Sequence, residues 1–398
     1  MAKLLNLPLP LTVILFFSQV KASDFWQRMN GLDTAIVLSL VVNSNGHILA
    51  GTYQQGLFRS TDNGETWSQP SSNLTTVIVN ALAVSPNGNI FAGTTGKGVF
   101  RSIDNGRNWI QSNMSGKFPT VVCLAIDSNG GIFAGTHYQG LYRSTDYGNT
   151  WTFYSYLKDY HLRALSINSK GYIFAAADYA GIFRSSDNGE NWTRVYYDPE
   201  FPKPFFETKD SMETAANLRI AKQLPFLSLA INSKNQVFAG TRFGVIRSLD
   251  DGFSWSPVES TFTELAWSLL TRSKHDIFAG GFGVARSRNN GKSWKLLSTG
   301  IAGFVWSLAI SPNQHIFVGT DYGVYRSREP LSPSNIKGDV DGDGITNLID
   351  VLKLVGCIFL NTESCNPTYD DFDCDHQISP TDIVILLRKI FLGAPFPC

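Results

Sequence analysis

Two stretches near the C-terminus hold residues whose types and spacing suit one kind of chemistry. In GDVDGDGITNLID, Asp339, Asp341, Asp343, Asn347 and Asp350 occupy positions 1, 3, 5, 9 and 12 of a twelve-residue loop. Gly344 stands at position 6, where such a loop must turn sharply, and the Ile345 backbone carbonyl would serve position 7. Carboxylates packed this closely repel one another unless a hard cation lies between them, so the loop is expected to bind Ca2+. The stretch DFDCDHQISPTD repeats the spacing with Asp371, Asp373, Asp375, Ser379 and Asp382, and with Gln377 at the carbonyl position. His376 replaces the turn glycine, so this second Ca2+ site is expected to be strained and weaker. Each loop runs straight into an apolar helical segment, VLKLVGCIFL or IVILLRKIFLG.

The rest of the chain is dominated by a repeat. Arg-Ser pairs begin at Arg59, Arg101, Arg143, Arg184, Arg247, Arg286 and Arg326, so successive starts lie 42, 42, 41, 63, 39 and 40 residues apart. The long interval marks an insertion at 195–224. Within the second copy, NALAVSPNGNIFAGTTGKGVFRSIDNGRNW, short alternating segments are separated by Gly or Asn-Gly turns. That pattern predicts four antiparallel strands per copy. One such sheet leaves both faces uncovered, so the copies must stack, and the predicted fold is an all-β, seven-bladed β-propeller. The seventh copy breaks off after Ser327, whereas the segment DFWQRMNGL places Trp26 one repeat before Trp67. The N-terminal strand is therefore expected to complete blade seven and close the ring.

The phrase RSTDNGETW and its copies resemble the Asp box, S-x-D-x-G-x-[ST]-W, of sialidase-type propellers. Blades one (Ser60, Asp62, Gly64, Thr66, Trp67), three (Ser144, Asp146, Gly148, Thr150, Trp151) and five (Ser248, Asp250, Gly252, Ser254, Trp255) match it in full. Asn108 and Asn191 stand at the Thr position of blades two and four, and Asn289 replaces the Asp of blade six. The resemblance implies a structural turn between third and fourth strands, away from any ligand face. Such an Asp can accept turn amides, the Gly can take a positive φ and the Trp can wedge between sheets.

The opposite face is built from the turns between second and third strands and from the connections between blades. Those turns carry Tyr53, Tyr138, Tyr179, Phe243, Phe282 and Tyr322, an expected ring of ligand-binding aromatics that could grip a glycan or a protein. Packing against the next turn is the other reading of these rings. The 195–224 insertion, rich in Pro and aromatics with a short helix capped by Ser211, falls on the same face and is a candidate specificity element. Two carboxyl groups across one cleft would be needed for glycoside hydrolysis. Position alone offers Asp178 and Asp321 in turns, and Asp159, Glu259 and Glu264 in connections. No F/Y-R-I-P motif of sialidases lies near the N-terminus, and the xyloglucan glycosidases that share the box pair two propellers where this chain has one.

The paired calcium loops, each ending in Asp rather than the Glu of a full EF-hand, resemble a type I dockerin. The departures are His376 and the cysteines Cys357, Cys365, Cys374 and Cys398. The resemblance implies a cohesin partner, and with it attachment to a scaffold or cell surface in polysaccharide degradation. Four cysteines in so short an exported segment suggest two disulfides, with three connectivities open. Cys123 stands in VVCLAI where other copies have Ala, as a small buried residue would.

Lys3 followed by LPLPLTVILFF and then SQVKA is expected to be a secretory leader cleaved after Ala22. Its apolar run is too short for a membrane span and holds two prolines. Apolar content of 43% and charged content of 17% describe a globular chain, and a formal net charge of +0 without basic runs argues against nucleic-acid binding. The expected organisation is leader 1–22, propeller 23–330, linker 331–336 and calcium module 337–398. The expected function is a secreted binding protein, with a dockerin-targeted glycoside hydrolase or a propeller assembly factor as alternatives.

Overall fold

The computed structural model describes residues 25–70, 74–114, 117–178, 180–197, 226–258, 265–297, 300–331, 348–355, 358 and 379–392. The leader, Tyr179, Glu259, Glu264, nearly all of the insertion, the first calcium loop up to Asn347, the second up to Gln377, and Cys357, Cys365, Cys374 and Cys398 lie outside them.

Seven antiparallel sheets follow one another along the chain. Their innermost strands touch in sequence, and that of blade seven (Val305–Ile310) touches that of blade one (Val37–Val42), so the ring is closed. Each second strand, of the type IFAGT, is buried throughout, because the neighbouring blade covers one face while its own blade's packing covers the other. Its glycine is there for that neighbour. A Cβ on Gly93 would stand 2.6 Å from Val121 of blade three, and one on Gly319 would stand 2.7 Å from Val37 of blade one. Cys123 is buried and free, its thiol donates to the Leu162 carbonyl at 3.3 Å, and burial pushes its pKa up to about 12.

Blade seven takes its outer strand from the other end of the chain. Trp26–Arg28 pairs antiparallel with Gly323–Ser327, in the register Trp26 to Ser327 and Arg28 to Tyr325. Blade one departs from the four-strand expectation: its sheet has three strands, and the fourth is reduced to a bridge between Arg59 and Ser68.

The repeated box is a hydrogen-bonded turn joined to the blade before it. In blade one, Asp62 accepts the Thr66 amide at 2.9 Å, the Thr66 hydroxyl at 2.5 Å and the Ser60 hydroxyl at 2.7 Å. The chain passes through the left-handed region at Asn63 (φ 60) and Gly64 (φ 90), which an Asn-Gly pair tolerates. The preceding blade's arginine donates to the carbonyl exposed by that turn: Arg59 to Asn105 at 2.7 Å, Arg101 to Tyr147 at 2.8 Å, Arg184 to Asp251 at 2.8 Å and Arg247 to Asn290 at 2.8 Å. Arg326 reaches Asn63 at 2.7 Å and so carries the same clasp across the closure. Arg143 instead lies over the Phe133 ring, 5.4 Å from its centroid. Blade seven has no box for Arg286 to hold. Arg286 forms two bonds of 2.8 Å with Asp276, a carboxylate at 0% exposure that Arg272 also contacts at 3.2 Å.

Helices Leu348–Val355 and Pro380–Leu392 pack together through Val351, Leu354 and Leu386. No helix among the described residues is long and apolar enough to cross a membrane.

Partial burial works to raise the Asp62 and Asp146 pKa values, but hydrogen bonds from the neighbouring Thr and Ser outweigh it and hold both at about 2. A carboxylate with a depressed folded pKa stabilises the fold above its unfolded value of about 4 and loses that contribution as the pH falls through its folded value. Blade six shows that Asn suffices for the geometry, since Asn289 accepts the Ser293 amide at 2.9 Å. The double variant Asp62→Asn, Asp146→Asn is therefore expected to fold normally and to lose less stability than the parent between pH 4 and pH 2. Thermal melts across that range test it, and identical pH profiles would refute the assignment.

Candidate functional site

On the face opposite the boxes, five of the seven inner strands open with a residue that escapes the strand alternation. The register skips Leu38, Asn80, Val122, Arg163 and Trp306, so each sits at a β-bulge. A bulge turns a side chain away from the direction its neighbours take. Here it leaves these residues half-buried at the upper end of the innermost strands. Trp267 precedes the inner strand of blade six in the same place.

Two clusters grow from these positions. In the first, Asp178 accepts Arg163 Nε at 2.7 Å and pairs with His161 Nδ1 at 3.1 Å, all through its Oδ2. The Asp178 side chain is 5% exposed and its Oδ1 meets no donor. Burial works to raise the Asp178 pKa, but the His161 hydrogen bond and the Arg163 charge overcome it and hold the carboxyl below its ordinary value. The His137 ring lies 4.4 Å from that of His161, and Tyr138 lies 4.7 Å from His137. Burial first, and then the charge interactions with His161 and Arg163, lower the His137 pKa.

The second cluster is an aromatic wall. Phe282, Phe304, Trp306 and Trp267 follow one another with centroid separations of 5.5, 4.7 and 5.0 Å, each pair edge to face. Asp321 orients the wall, accepting the Phe304 amide at 2.8 Å and Trp306 Nε1 at 2.7 Å. Arg163 joins the clusters, its guanidinium carbon 5.6 Å from the Trp267 ring centroid. Blade four thus reaches blade six.

The aromatic ring expected from sequence is exposed, with Phe282 at 75%, Tyr138 at 54%, Tyr322 at 52%, Phe243 at 49% and Tyr53 at 44%. It is not uniform. Tyr53 stands one position earlier than Tyr138: its amide bonds the Ile36 carbonyl as the His137 amide bonds that of Thr120, and the left-handed residue that follows is Gln54 in one case and Tyr138 in the other. Phe282 and Tyr138 join the clusters, whereas Tyr53, Phe243 and Tyr322 make no ring–ring contact among the described residues. The two carboxyl candidates belong to different clusters. Each is held by donors, and Asp178 is kept ionised. Reading the turns alone missed His161, Arg163, Trp267, Phe304 and Trp306, although a blade-by-blade comparison of the residue before each inner-strand Ser, Ala or Cys exposes the odd Arg and the two Trp.

On the box face, a cavity of about 180 Å³ between blades three and four is lined by polar turn residues including Asp127, Lys170 and Asn188. No group of three metal-ligating side chains occurs among the described residues. Of the expected calcium ligands, Ser379 and Asp382 lie together at the start of the last helix, where Asp382 is fully buried and its Oδ2 accepts the Ser379 amide at 2.8 Å.

Residues 12–240 match the family described as DUF6242 beta propeller domain. The chain belongs to that family. No curated protein matches the sequence. The propeller is similar in structure to the extracellular domain of a putative hybrid two-component system from B. thetaiotaomicron, at 18% identity and a TM-score of 0.61, covering 81% of this chain and 42% of that one. It is also similar to YCF48 bound to D1 peptide (15% identity, TM-score 0.58, 77% of this chain and 97% of that one). A third is a GH74 xyloglucanase from Xanthomonas campestris (16% identity, TM-score 0.58, 76% of this chain and 53% of that one). These likenesses establish the propeller fold of a DUF6242 domain.

Asp178→Asn removes the charge that faces Arg163 and His161 and is expected to cost about 2 kcal/mol. Because the carboxyl is held below its ordinary pKa, the parent keeps that stabilisation above about pH 4 and loses it on acidification. The variant should lack that part of the pH dependence. Denaturant titrations at neutral and acid pH read the difference.

Proposed function

We propose that this DUF6242 propeller is a secreted carbohydrate-binding module and that its bulge-bearing face holds the sugar. The observation that carries the reading is the continuous wall Phe282–Phe304–Trp306–Trp267 running into the His161–Asp178–Arg163 cluster. Apolar ring faces set beside charged donors and acceptors match the two chemistries of a pyranose, its C–H faces and its hydroxyls. The resemblance of the fold to a GH74 xyloglucanase supports a glycan-related role, and that to the extracellular domain of a two-component system supports a place outside the cell. Binding is favoured over hydrolysis because a glycosidase needs a carboxylic acid with a raised pKa, and Asp178 is held ionised. Glycan-array screening of the chain lacking residues 1–22, with turnover checked on every hit, tests this. Binding without cleavage is expected, weakened several-fold by Phe282→Ala, a loss of about 1 kcal/mol. Cleavage would restore the hydrolase, and silence on every glycan would favour a protein ligand.

The tail is proposed to hold two Ca2+ ions through Asp339, Asp341, Asp343, Ile345, Asn347 and Asp350, and through Asp371, Asp373, Asp375, Gln377, Ser379 and Asp382. A cohesin-like protein is the proposed docking partner. The buried Asp382, next to Ser379 at a helix start, fits the last position of such a loop. Ca2+ is expected to raise the melting temperature of the tail's transition, in proportion to ln(1 + [Ca2+]/Kd). Asp339→Ala should abolish most of the rise, the second site being the weaker. Calorimetry with Ca2+ and with chelator measures both.

A further inference from the structure

We infer that the site carries a carboxylate subsite, with Arg163 as its anchor, and that the glycan it takes is acidic, bearing uronic-acid residues. The inference rests on the carbohydrate-binding reading above and narrows its ligand. Arg163 is fixed at two points: its Nε donates to Asp178 at 2.7 Å and its guanidinium lies by the Trp267 ring, 5.6 Å from the centroid. Those contacts use the inner side of the group. The terminal nitrogens, Nη1 and Nη2, make no hydrogen bond among the described residues, and the side chain remains 30% exposed. A guanidinium held in this way presents two parallel N–H donors to whatever enters, and a carboxylate accepts both at once. Its orientation is set before a ligand arrives, so little side-chain entropy is left to lose.

The surrounding charges select a monoanion carried on a sugar. The blade-five turn presents Arg242, exposed and without an ion pair among the described residues. Asp321 is engaged through both oxygens, by the Phe304 amide and the Trp306 indole, and so is held on the wall side of the site. Asp178 remains ionised behind Arg163 and offsets one positive charge, which disfavours a dianion such as phosphate more than a single carboxylate. The aromatic wall begins at Trp267, the ring against which Arg163 lies, so an anion on the guanidinium would place its own ring beside the wall.

The test uses the chain from residue 23 onwards, with oligogalacturonates and glucuronate oligosaccharides as probes and their methyl esters as uncharged counterparts of the same sugars. Binding is followed by calorimetry and by tryptophan fluorescence. The acids are expected to bind at least tenfold tighter than the esters. Arg163→Gln should weaken the acids by about tenfold to a hundredfold and the esters much less, so that the preference for the acids collapses. Arg163→Lys, which keeps the charge but loses the fork, should recover only part of the loss, and both variants should be shown folded by their melting curves. Esters and acids binding equally, with Arg163→Gln silent, would overturn the carboxylate subsite while leaving the carbohydrate reading intact. No binding of either form, on a panel that also shows no neutral glycan bound, would overturn both.

Discussion

The clasp by which five of the seven repeat arginines hold the next blade's turn carbonyl is the contact on which the ring depends. A propeller sheet has two faces to cover and no core of its own, so its stability is that of its neighbours' packing. The box makes one edge of each blade rigid enough to be gripped. Its Asp and Ser tie the turn, its left-handed pair pushes a carbonyl outward, and the preceding guanidinium takes that carbonyl. Where blade seven has no box, the arginine of blade six would be left buried without a partner, an arrangement that costs several kcal/mol. Asp276 removes that cost with a two-bonded ion pair.

This rigidity divides labour between the faces. The box face is nearly the same in each blade because every copy has the same mechanical task. The other face is freed from that task, and its five bulged positions carry five different residues: Leu38, Asn80, Val122, Arg163 and Trp306. Chemistry gathers in one sector, where Arg163 spans from blade four to Trp267 of blade six.

Much of this was legible in the sequence, because the architecture is written as repetition. The spacing of Arg-Ser pairs predicts seven blades, and the orphaned Trp26 predicts the closure found in its pairing with Ser327. The structural role expected of the box Asp is met at Asp62, whose three hydrogen bonds stay within the turn. The site was less legible for a physical reason. A bulge is one unpaired residue inside a strand that otherwise alternates, so Arg163 and Trp306 look like ordinary strand residues until the register is known. Tyr53 shows the same limit, since TYQQG and THYQG look alike but place their tyrosines one step apart. Asp178 and Asp321 were found by position, while their partners, 15 and 17 residues earlier in the chain, are set by the bulged inner strand of the same blade.

The closing strand imposes an order on assembly. A chain made from its N-terminus presents Trp26–Arg28 first, yet the partner strand Gly323–Ser327 emerges some three hundred residues later. Until then the buried side of Trp26 has no partner, and blades one to six form an open arc with a bare edge at each end. The slowest step is therefore a search between the oldest and newest parts of the chain, the kind of long loop closure that limits β-rich folding. Quality control would meet this protein either fully ringed or as an arc with two adhesive ends, and those ends match each other as well on two molecules as on one.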